Sequence, residues 1–243
     1  MSATSYVIGG YRPGEATFVA TSRSKPISGS IPCVFGHGFY LTWDPSLLRN
    51  TPYYDDFDGV TIIGSPVFMG ELGGGSTWGN DNAWDAVDDV VVWAGSTYGT
   101  RTDKVRLIGE SMGTLTVLNW AWRNPSKVAG IALRSPVVNL ELLRDQNPLG
   151  LGAAAEAAYG GTAGFNAALP THDPSKNTGL IAQFGRRVKL WYALSDDIVP
   201  PSSVTSFAAA IGAEAVPVAG EHEATITIDR GEIGSWLARA ANL

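Results

Sequence analysis

Apolar runs of strand length alternate along this chain with segments whose apolar residues recur at helical spacing. The strand-like runs lie at residues 31–35, 59–64, 105–108, 128–133, 188–194 and 213–218. The helix-like segments lie at residues 81–94, 114–122, 202–211 and 229–241, and a further helix start is predicted near Asp44. Strands that alternate with helices form a mostly parallel, doubly wound sheet. The pattern therefore predicts an α/β fold.

Two regions depart from this alternation. Residues 6–8 and 16–20 are short strand-like stretches joined by turn residues, and we expect them to form an antiparallel edge of the sheet. Residues 135–180 are rich in Ala, Gly and Pro, with short helical pieces around Leu140, Ala154 and Ala167 and a helix near 174–184. We interpret 135–180 as a small lid or cap inserted into a single domain that spans residues 1–243.

A long loop is predicted at residues 65–80, before the helix that begins near residue 81. Either Asn80 or Asp81 can cap that helix, because both side chains can accept a hydrogen bond from its first turn. Apolar residues at helical spacing predict that one helix face packs in the core; these are Trp84, Val87, Val91 and Ala94.

Composition narrows the class of protein. The chain has 243 residues, of which 44% are hydrophobic and 16% charged, which suits one globular domain. A net charge of −6 without a basic run makes nucleic acids and anionic membranes poor partners. We see no signal peptide and no membrane span, so we expect a soluble protein that is cytoplasmic when synthesised. The sequence carries no signal for or against self-association.

The histidines, glycines and cysteine give no sign of a metal or cofactor. The three histidines lack the spacing of metal ligands, and Gly73-Gly74-Gly75 lacks the lysine of a phosphate-binding loop. Cys33 is the single cysteine and lies in an apolar run, so we expect a buried structural thiol. Neither a metal ion nor a cofactor is predicted.

The segment Gly109-Glu110-Ser111-Met112-Gly113 carries the first candidate chemistry. It ends a buried strand and begins a helix, which is the setting of a nucleophile elbow. The turn places Ser111 at a strained apex, and the flanking glycines have no Cβ to clash. An ordinary strand–turn–helix with a surface serine fits the same pattern. The rest of the chain must therefore supply a base and an acid.

Candidate partners for Ser111 follow two later strands. His222 follows the last strand, and imidazole can take and return a proton near neutral pH. His172, inside the insert, is the alternative base. Asp196 and Asp197 follow the strand at 188–194, and either can orient the base. These groups collect at the carboxyl ends of parallel strands, in the order Ser, Asp, His.

From about residue 31 onward, the chain resembles the α/β-hydrolase superfamily of serine esterases and lipases. The motifs that carry this resemblance are His37-Gly38, Gly109-Glu110-Ser111-Met112-Gly113, Asp196-Asp197-Ile198-Val199-Pro200 and Gly220-Glu221-His222. The resemblance implies the α/β-hydrolase fold, places the acid at Asp196 and makes the His37 ring structural. Residues 78–94 and 118–128 also resemble hydrolases encoded by actinobacterial phages, which would allow a virion-associated location.

The oxyanion hole and the substrate pocket follow from the same placement. The backbone of Met112 supplies one oxyanion donor. The resemblance implies Phe39 as the second, with Gly38 as the alternative, because the chain lacks the His-Gly-Gly-Gly form. Apolar side chains in loops at this end of the sheet predict an acyl pocket, or else pack only against the lid. They are Tyr40, Trp43, Phe68, Met69 and Trp78.

These features predict a serine hydrolase of carboxylic esters that works through an acyl-enzyme with Ser111, His222 and Asp196. Its expected substrate is a small-molecule or lipid ester. An acyltransferase, thioesterase or peptidase would use the same triad. A dehalogenase with an aspartate nucleophile is disfavoured because the elbow holds Ser111. A non-catalytic virion or binding module that retains the fold is the rival from another class, and it has no physical need for all three residues.

Overall fold

An eight-stranded sheet forms the centre of the protein. The computed structural model describes residues 4–13, 15–39, 53–222, 226, 228–229 and 231–243. The strands are β1 (Thr4–Arg12), β2 (Glu15–Ser22), β3 (Cys33–Gly36), β4 (Val67–Gly70), β5 (Val105–Glu110), β6 (Val128–Arg134), β7 (Val188–Ala193) and β8 (Glu214–Val218). Their order across the sheet is β1-β2-β4-β3-β5-β6-β7-β8. β2 runs antiparallel to both β1 and β4, and the remaining pairs are parallel. The predicted mostly parallel sheet with an antiparallel edge is confirmed.

Helices cover both faces of this sheet. They are α1 (Tyr53–Ile62), α2 (Asp81–Tyr98), α3 (Gly113–Arg123), α4 (Leu140–Gln146), α5 (Leu151–Ala158), α6 (Thr162–His172), α7 (Thr178–Ile181), α8 (Pro201–Ile211) and α9 (Glu232–Ala240). Alternate residues of one strand join different cores: Leu107 of β5 packs with α2 and α3, and Ile108 packs with α1 and α9. This burial on both faces explains the continuous apolar runs of the central strands. Within the described residues, no helix is long and apolar enough to cross a bilayer.

Several predicted helix boundaries are confirmed. The Asn80 side chain accepts a hydrogen bond from the Ala83 N–H at 3.2 Å and caps α2, which continues past the predicted end to Tyr98. Helices occur at all three predicted positions in the insert. The helix predicted near 174–184 is instead broken into α7 and two 3-10 turns, Pro174–Lys176 and Ala182–Arg187. The helix start near Asp44 lies outside the described residues.

The strand predicted at residues 59–64 is wrong. Most of these residues belong to α1, and the neighbouring strand is β4, inside the predicted loop. The run is apolar and β-branched, but its residue Val60, like Phe57 just before the run, is buried against α9 rather than in a sheet. Two glycines permit this packing: a β-carbon on Gly234 of α9 would lie 2.3 Å from the Gly59 carbonyl carbon, and one on Gly59 would lie 2.8 Å from the Gly231 Cα. Tertiary packing of two helices therefore overrides the local strand preference.

A buried ionic cluster lies below the carboxyl ends of β5 and β6. Arg134 donates a hydrogen bond from Nη1 to Asp56 of α1, and its Nε lies 3.9 Å from Glu110 Oε1. All three side chains are at most 4% exposed. Charges removed from water need partners of opposite sign, so these groups depend on one another. The cluster connects the last residues of β5 and β6 to α1.

Cys33 lies in β3 with its side chain fully buried. Burial in the apolar core raises the pKa of its thiol to about 12, because the thiolate would lose its hydration. The thiol therefore stays protonated and unreactive at neutral pH. The prediction of a buried structural cysteine is confirmed.

The contact between α1 and α9 can be tested with Gly234→Ala. The new methyl group would overlap the Gly59 carbonyl, so we expect the free energy of unfolding to fall by about 1–3 kcal/mol. Gly179→Ala in α7 is the matched control, because nothing lies within 4 Å of its added β-carbon. It should change stability by about 1 kcal/mol or less. Urea denaturation of both variants measures the difference, and equal effects would contradict this packing.

The ionic cluster can be tested with Arg134→Leu. Removing the cation leaves the Asp56 and Glu110 carboxylates buried without it, so we expect a loss of about 3–5 kcal/mol in the free energy of unfolding. Arg101→Leu is the control, because Arg101 pairs with Asp103 at the exposed surface. That change should not measurably alter stability. A loss no larger than the control's would mean that the cluster does not support the fold.

Candidate active site

Ser111 lies at the apex of the turn between β5 and α3. Its φ is +46°, in the left-handed region that non-glycine residues rarely adopt. Two backbone hydrogen bonds hold this conformation: Ser111 N–H donates to the Arg134 carbonyl at 3.0 Å, and Val137 N–H donates to the Ser111 carbonyl at 3.3 Å. A β-carbon on Gly113 would lie 2.1 Å from the Gly36 carbonyl carbon. The strained turn predicted from the motif is present, and its second glycine is sterically required.

The structure brings His222 and Asp196 to this serine. His222 Nε2 lies 2.9 Å from Ser111 Oγ, and His222 Nδ1 lies 2.9 and 2.8 Å from the two carboxylate oxygens of Asp196. The His222 and Asp196 side chains are only 4% and 2% exposed. With Nδ1–H donating to the carboxylate, Nε2 is left to accept the Ser111 hydroxyl proton. The three predicted side chains thus form one buried chain of hydrogen bonds.

Asp196 is held in place by its own loop. Its Oδ1 accepts hydrogen bonds from the N–H groups of Ile198 and Val199, at 3.0 and 2.7 Å. These bonds orient the carboxylate toward His222. Asp197, the alternative acid, is exposed. The geometry therefore favours Asp196 over its neighbour.

His172, the alternative base, has other partners. Its Nε2 lies 2.9 Å from Asp81 Oδ1, its Nδ1 lies 2.9 Å from Thr171 Oγ1, and its ring packs edge-on against Trp84. Among the described residues it has no contact with Ser111. The described residues also contain no group of three or more His, Cys, Asp or Glu side chains that could hold a metal ion.

The two predicted oxyanion donors are the backbone N–H groups of Met112 and Phe39. Met112 follows Ser111 directly, is buried, and its N–H has no hydrogen-bond partner among the described residues. His37 Nδ1 lies 2.7 Å from the Gly38 carbonyl, which belongs to the same peptide unit as the Phe39 N–H. Burial lowers the pKa of His37, so its ring is neutral near pH 7 and donates through one nitrogen. His37 therefore orients the peptide that carries the second candidate donor.

The loop before α2 packs against the Phe39 side of the site. The centroids of the Phe39 and Trp78 rings are 5.3 Å apart, and the Trp78 side chain is almost fully buried. The Trp78 carbonyl accepts a hydrogen bond from the Tyr159 hydroxyl at 2.8 Å, and Asn119 of α3 donates to the Gly79 carbonyl at 2.8 Å. Trp78 is thus a packed residue behind Phe39. Its carbonyl connects this loop to the end of α5.

Two predicted pocket residues are elsewhere in the structure. Phe68 and Met69 lie in β4, not in a loop, and both are fully buried on opposite faces of the sheet. The Phe68 ring packs against the rings of Trp93 and Tyr98, with centroid distances of 5.9 and 5.8 Å. Their assignment to the substrate pocket is wrong, because the neighbouring strand lies later in the chain than predicted. Tyr40 and Trp43 lie outside the described residues.

Arg134 supports the serine turn, and no predicted motif included it. Arg134 holds the Ser111 N–H through its carbonyl and contacts Asp56 and Glu110 through its side chain. A signal for this role was present, because Glu110 and Arg134 end two strongly apolar strands. Charges placed next to buried strands are expected to pair. The partner Asp56, however, lies 78 positions away in the chain.

Comparison with known proteins places the chain in a family. A family model described as "Putative esterase" matches residues 72–201, more than half of the chain. That region includes Ser111 and Asp196. Among proteins with curated functions, none matches the chain in sequence.

Solved structures share the fold at low sequence identity. A fluorophosphonate-binding serine hydrolase of Staphylococcus aureus has a TM-score of 0.74 at 13% identity, covering 99% of each chain. An S-formylglutathione hydrolase from Agrobacterium tumefaciens has a TM-score of 0.68 at 12% identity. The match covers 100% of this chain and 96% of that one. Prolyl oligopeptidase B from Galerina marginata has a TM-score of 0.65 at 16% identity. The match covers 99% of this chain, which spans only 37% of the length of that protein. Together with the family match, this fold shows that the chain belongs to the esterase family of the α/β-hydrolase superfamily.

Proposed function

We propose that this protein is a serine hydrolase of carboxylic esters that works through an acyl-enzyme on Ser111. The observation that carries the proposal is the buried hydrogen-bonded chain from Ser111 Oγ through His222 to Asp196. A hydroxyl is a weak nucleophile unless a base lies within hydrogen-bond reach, and here the distance is 2.9 Å. Membership of the esterase family supports an ester as the substrate.

In the first step, Ser111 Oγ attacks the ester carbonyl carbon while His222 Nε2 takes the hydroxyl proton. Asp196 stabilises the resulting imidazolium and keeps its ring oriented. The negative charge on the carbonyl oxygen is stabilised by the N–H of Met112, with Phe39 as the proposed second donor. When the tetrahedral intermediate collapses, the bond to the alcohol oxygen breaks and His222 returns the proton to that oxygen. The acyl group remains on Ser111.

In the second step, water attacks the acyl carbon as His222 takes a proton from it. Collapse of this second intermediate breaks the bond to Ser111 Oγ, which regains its proton from His222. The carboxylic acid leaves and the enzyme is restored. Proton transfer is confined to His222, so the proposal requires no metal ion or cofactor.

We further propose that the segment at residues 135–180 serves as the lid of a single-domain enzyme, and that Phe39 borders the acyl side of the site. Tyr159 at the end of α5 hydrogen bonds to the Trp78 carbonyl, and Trp78 packs against Phe39. Asn80 Nδ2 also donates to the Ala158 carbonyl at 3.0 Å. These contacts support a lid position beside the oxyanion loop.

Ser111→Ala tests the nucleophile. Because no other group replaces the attacking oxygen, we expect kcat for p-nitrophenyl butyrate to fall by about 10^4–10^6-fold, with an unchanged circular dichroism spectrum. Intact-mass analysis should show one fluorophosphonate adduct on the native protein and none on this variant. His172→Gln is the control and should retain near-native kcat, since His172 contacts Asp81 instead. Retention of more than about a tenth of the activity by Ser111→Ala would remove Ser111 from the mechanism.

Asp196→Asn tests the acid. An amide at this position favours the wrong tautomer of His222, so we expect kcat to fall by about 10^3–10^4-fold. The matched control is Asp197→Asn, which removes an exposed carboxylate one residue away and should leave kcat nearly unchanged. Steady-state kinetics on the two variants decide between them. The opposite ranking would assign the acid to Asp197.

A further inference from the structure

Trp78 and Gly79 form a strained pair of residues in the loop that precedes α2. Their φ angles are +49° and +72°, both in the left-handed region. Glycine adopts this conformation freely, but a bulky aromatic residue does so rarely and needs support from its surroundings. Two side chains supply that support: Tyr159 Oη donates to the Trp78 carbonyl and Asn119 Nδ2 donates to the Gly79 carbonyl, both at 2.8 Å. We refer to Trp78 and Gly79 as the strained pair.

The strained pair contacts both the helix of the nucleophile elbow and the residue proposed as the second oxyanion donor. A β-carbon on Gly79 would lie 2.7 Å from Leu115 Cβ, in the first turn of α3, which begins two residues after Ser111. The Trp78 ring is tilted by 41° to the Phe39 ring, with the centroids 5.3 Å apart. Only 1% of Trp78 is exposed, so its ring cannot shift without displacing its neighbours. A change at the Trp78 carbonyl is therefore transmitted to Phe39.

Tyr159 is built to donate one fixed hydrogen bond. Its ring packs edge-on against the rings of Phe165 and His172, with centroid distances of 5.7 and 5.4 Å. These contacts hold the direction of the phenol ring. Burial raises the pKa of the Tyr159 hydroxyl, because the phenolate would lose its hydration. The hydroxyl therefore keeps its proton and donates to the Trp78 carbonyl throughout the working pH range.

Further contacts hold the segment that carries Tyr159 against the start of α2, directly after the strained pair. Asn80 Nδ2 donates to the carbonyl of Ala158 at 3.0 Å. His172 Nε2 lies 2.9 Å from Asp81 Oδ1. The position of the 135–180 segment on α2 therefore sets where the Tyr159 hydroxyl meets the strained pair.

We infer that Tyr159 is a positioning residue for the oxyanion hole: its hydrogen bond to the Trp78 carbonyl holds the Trp78 ring against Phe39 and so keeps the Phe39 N–H in place. The inference rests on the proposed function, in which Phe39 is the second oxyanion donor. Such donors act on charge that develops in the transition state, so displacing one lowers kcat more than it changes KM. The lid segment thereby contributes a residue on which catalysis depends.

Tyr159→Phe tests this role, because it removes the hydroxyl and keeps the ring. We expect kcat for p-nitrophenyl butyrate to fall about tenfold, with KM within about twofold of native. The second readout is inhibition by propyl trifluoromethyl ketone. Ser111 Oγ adds to its carbonyl carbon, the hydroxyl proton passes to His222, and the ketone oxygen becomes an oxyanion. The inhibition constant should also rise about tenfold, because this adduct uses the same donors as the transition state.

Two further variants make the test specific. Asn119→Ala removes the other hydrogen bond to the strained pair, so kcat should fall and the inhibition constant should rise here too; this variant tests the same coupling if Tyr159→Phe does not fold. Tyr98→Phe is the matched control, because Tyr98 packs against Phe68 and Trp93 instead. It should leave kcat and the inhibition constant within about twofold of native.

The outcomes separate this inference from the esterase proposal. A folded Tyr159→Phe protein with native kcat, or with reduced kcat but a native inhibition constant for the ketone, would overturn the positioning role. Either result would leave the esterase proposal intact. Failure of the native protein both to hydrolyse any ester and to react with a fluorophosphonate would instead reject the proposed function itself.

Discussion

The close approach of Gly113 to Gly36 is the contact on which the site depends. A β-carbon on Gly113 would lie 2.1 Å from the Gly36 carbonyl carbon and 2.6 Å from the His37 backbone nitrogen. The first turn of α3 can therefore lie directly against the end of β3. The contact joins the strand that precedes the Gly38–Phe39 peptide to the helix that follows Met112. A larger residue at position 113 would push the first turn of α3 away from β3 and so displace Ser111 from the loop that follows β3.

The strain at Ser111 needs support from its surroundings, since a non-glycine residue with φ of +46° is unfavourable by itself. That support comes from β6 and the residues after it: the Arg134 carbonyl accepts a hydrogen bond from the Ser111 N–H, and the Val137 N–H donates one to the Ser111 carbonyl. The Arg134 side chain is in turn held by Asp56 and Glu110. The ionic cluster thus couples the conformation of the nucleophile to the packing of α1 against the sheet.

The site is assembled from loops that contact one another as well as the sheet. The loop before α2 accepts hydrogen bonds from α3 through Gly79 and from the end of α5 through Trp78. The His37 ring also lies 3.3 Å from the Glu71 carbonyl. On the other side, Asp196 Oδ1 accepts hydrogen bonds from two backbone N–H groups of its own loop. The loop that carries the candidate oxyanion donor and the loop that carries the candidate acid are therefore each held by hydrogen bonds.

The sequence alone determined the features that depend on local pattern. Apolar periodicity predicted the order of strands and helices, and Gly109-Glu110-Ser111-Met112-Gly113 predicted a strained turn because its steric needs are local. The placement of Ser111, Asp196 and His222, each after a predicted strand, predicted their meeting, since the carboxyl ends of parallel strands share one edge. The resemblance to α/β-hydrolases then favoured Asp196 over Asp197.

Only the tertiary structure decided the features that depend on distant contacts. The run at residues 59–64 has strand-forming side chains, but the contact of Gly59 with Gly234 favours a helix there, 175 positions from its partner in the chain. That shift moved β4 onto Phe68 and Met69 and removed them from the pocket. Arg134 and Asp56 form their ion pair across 78 positions. Such contacts have no signature in a local pattern, because each is set by how whole elements pack.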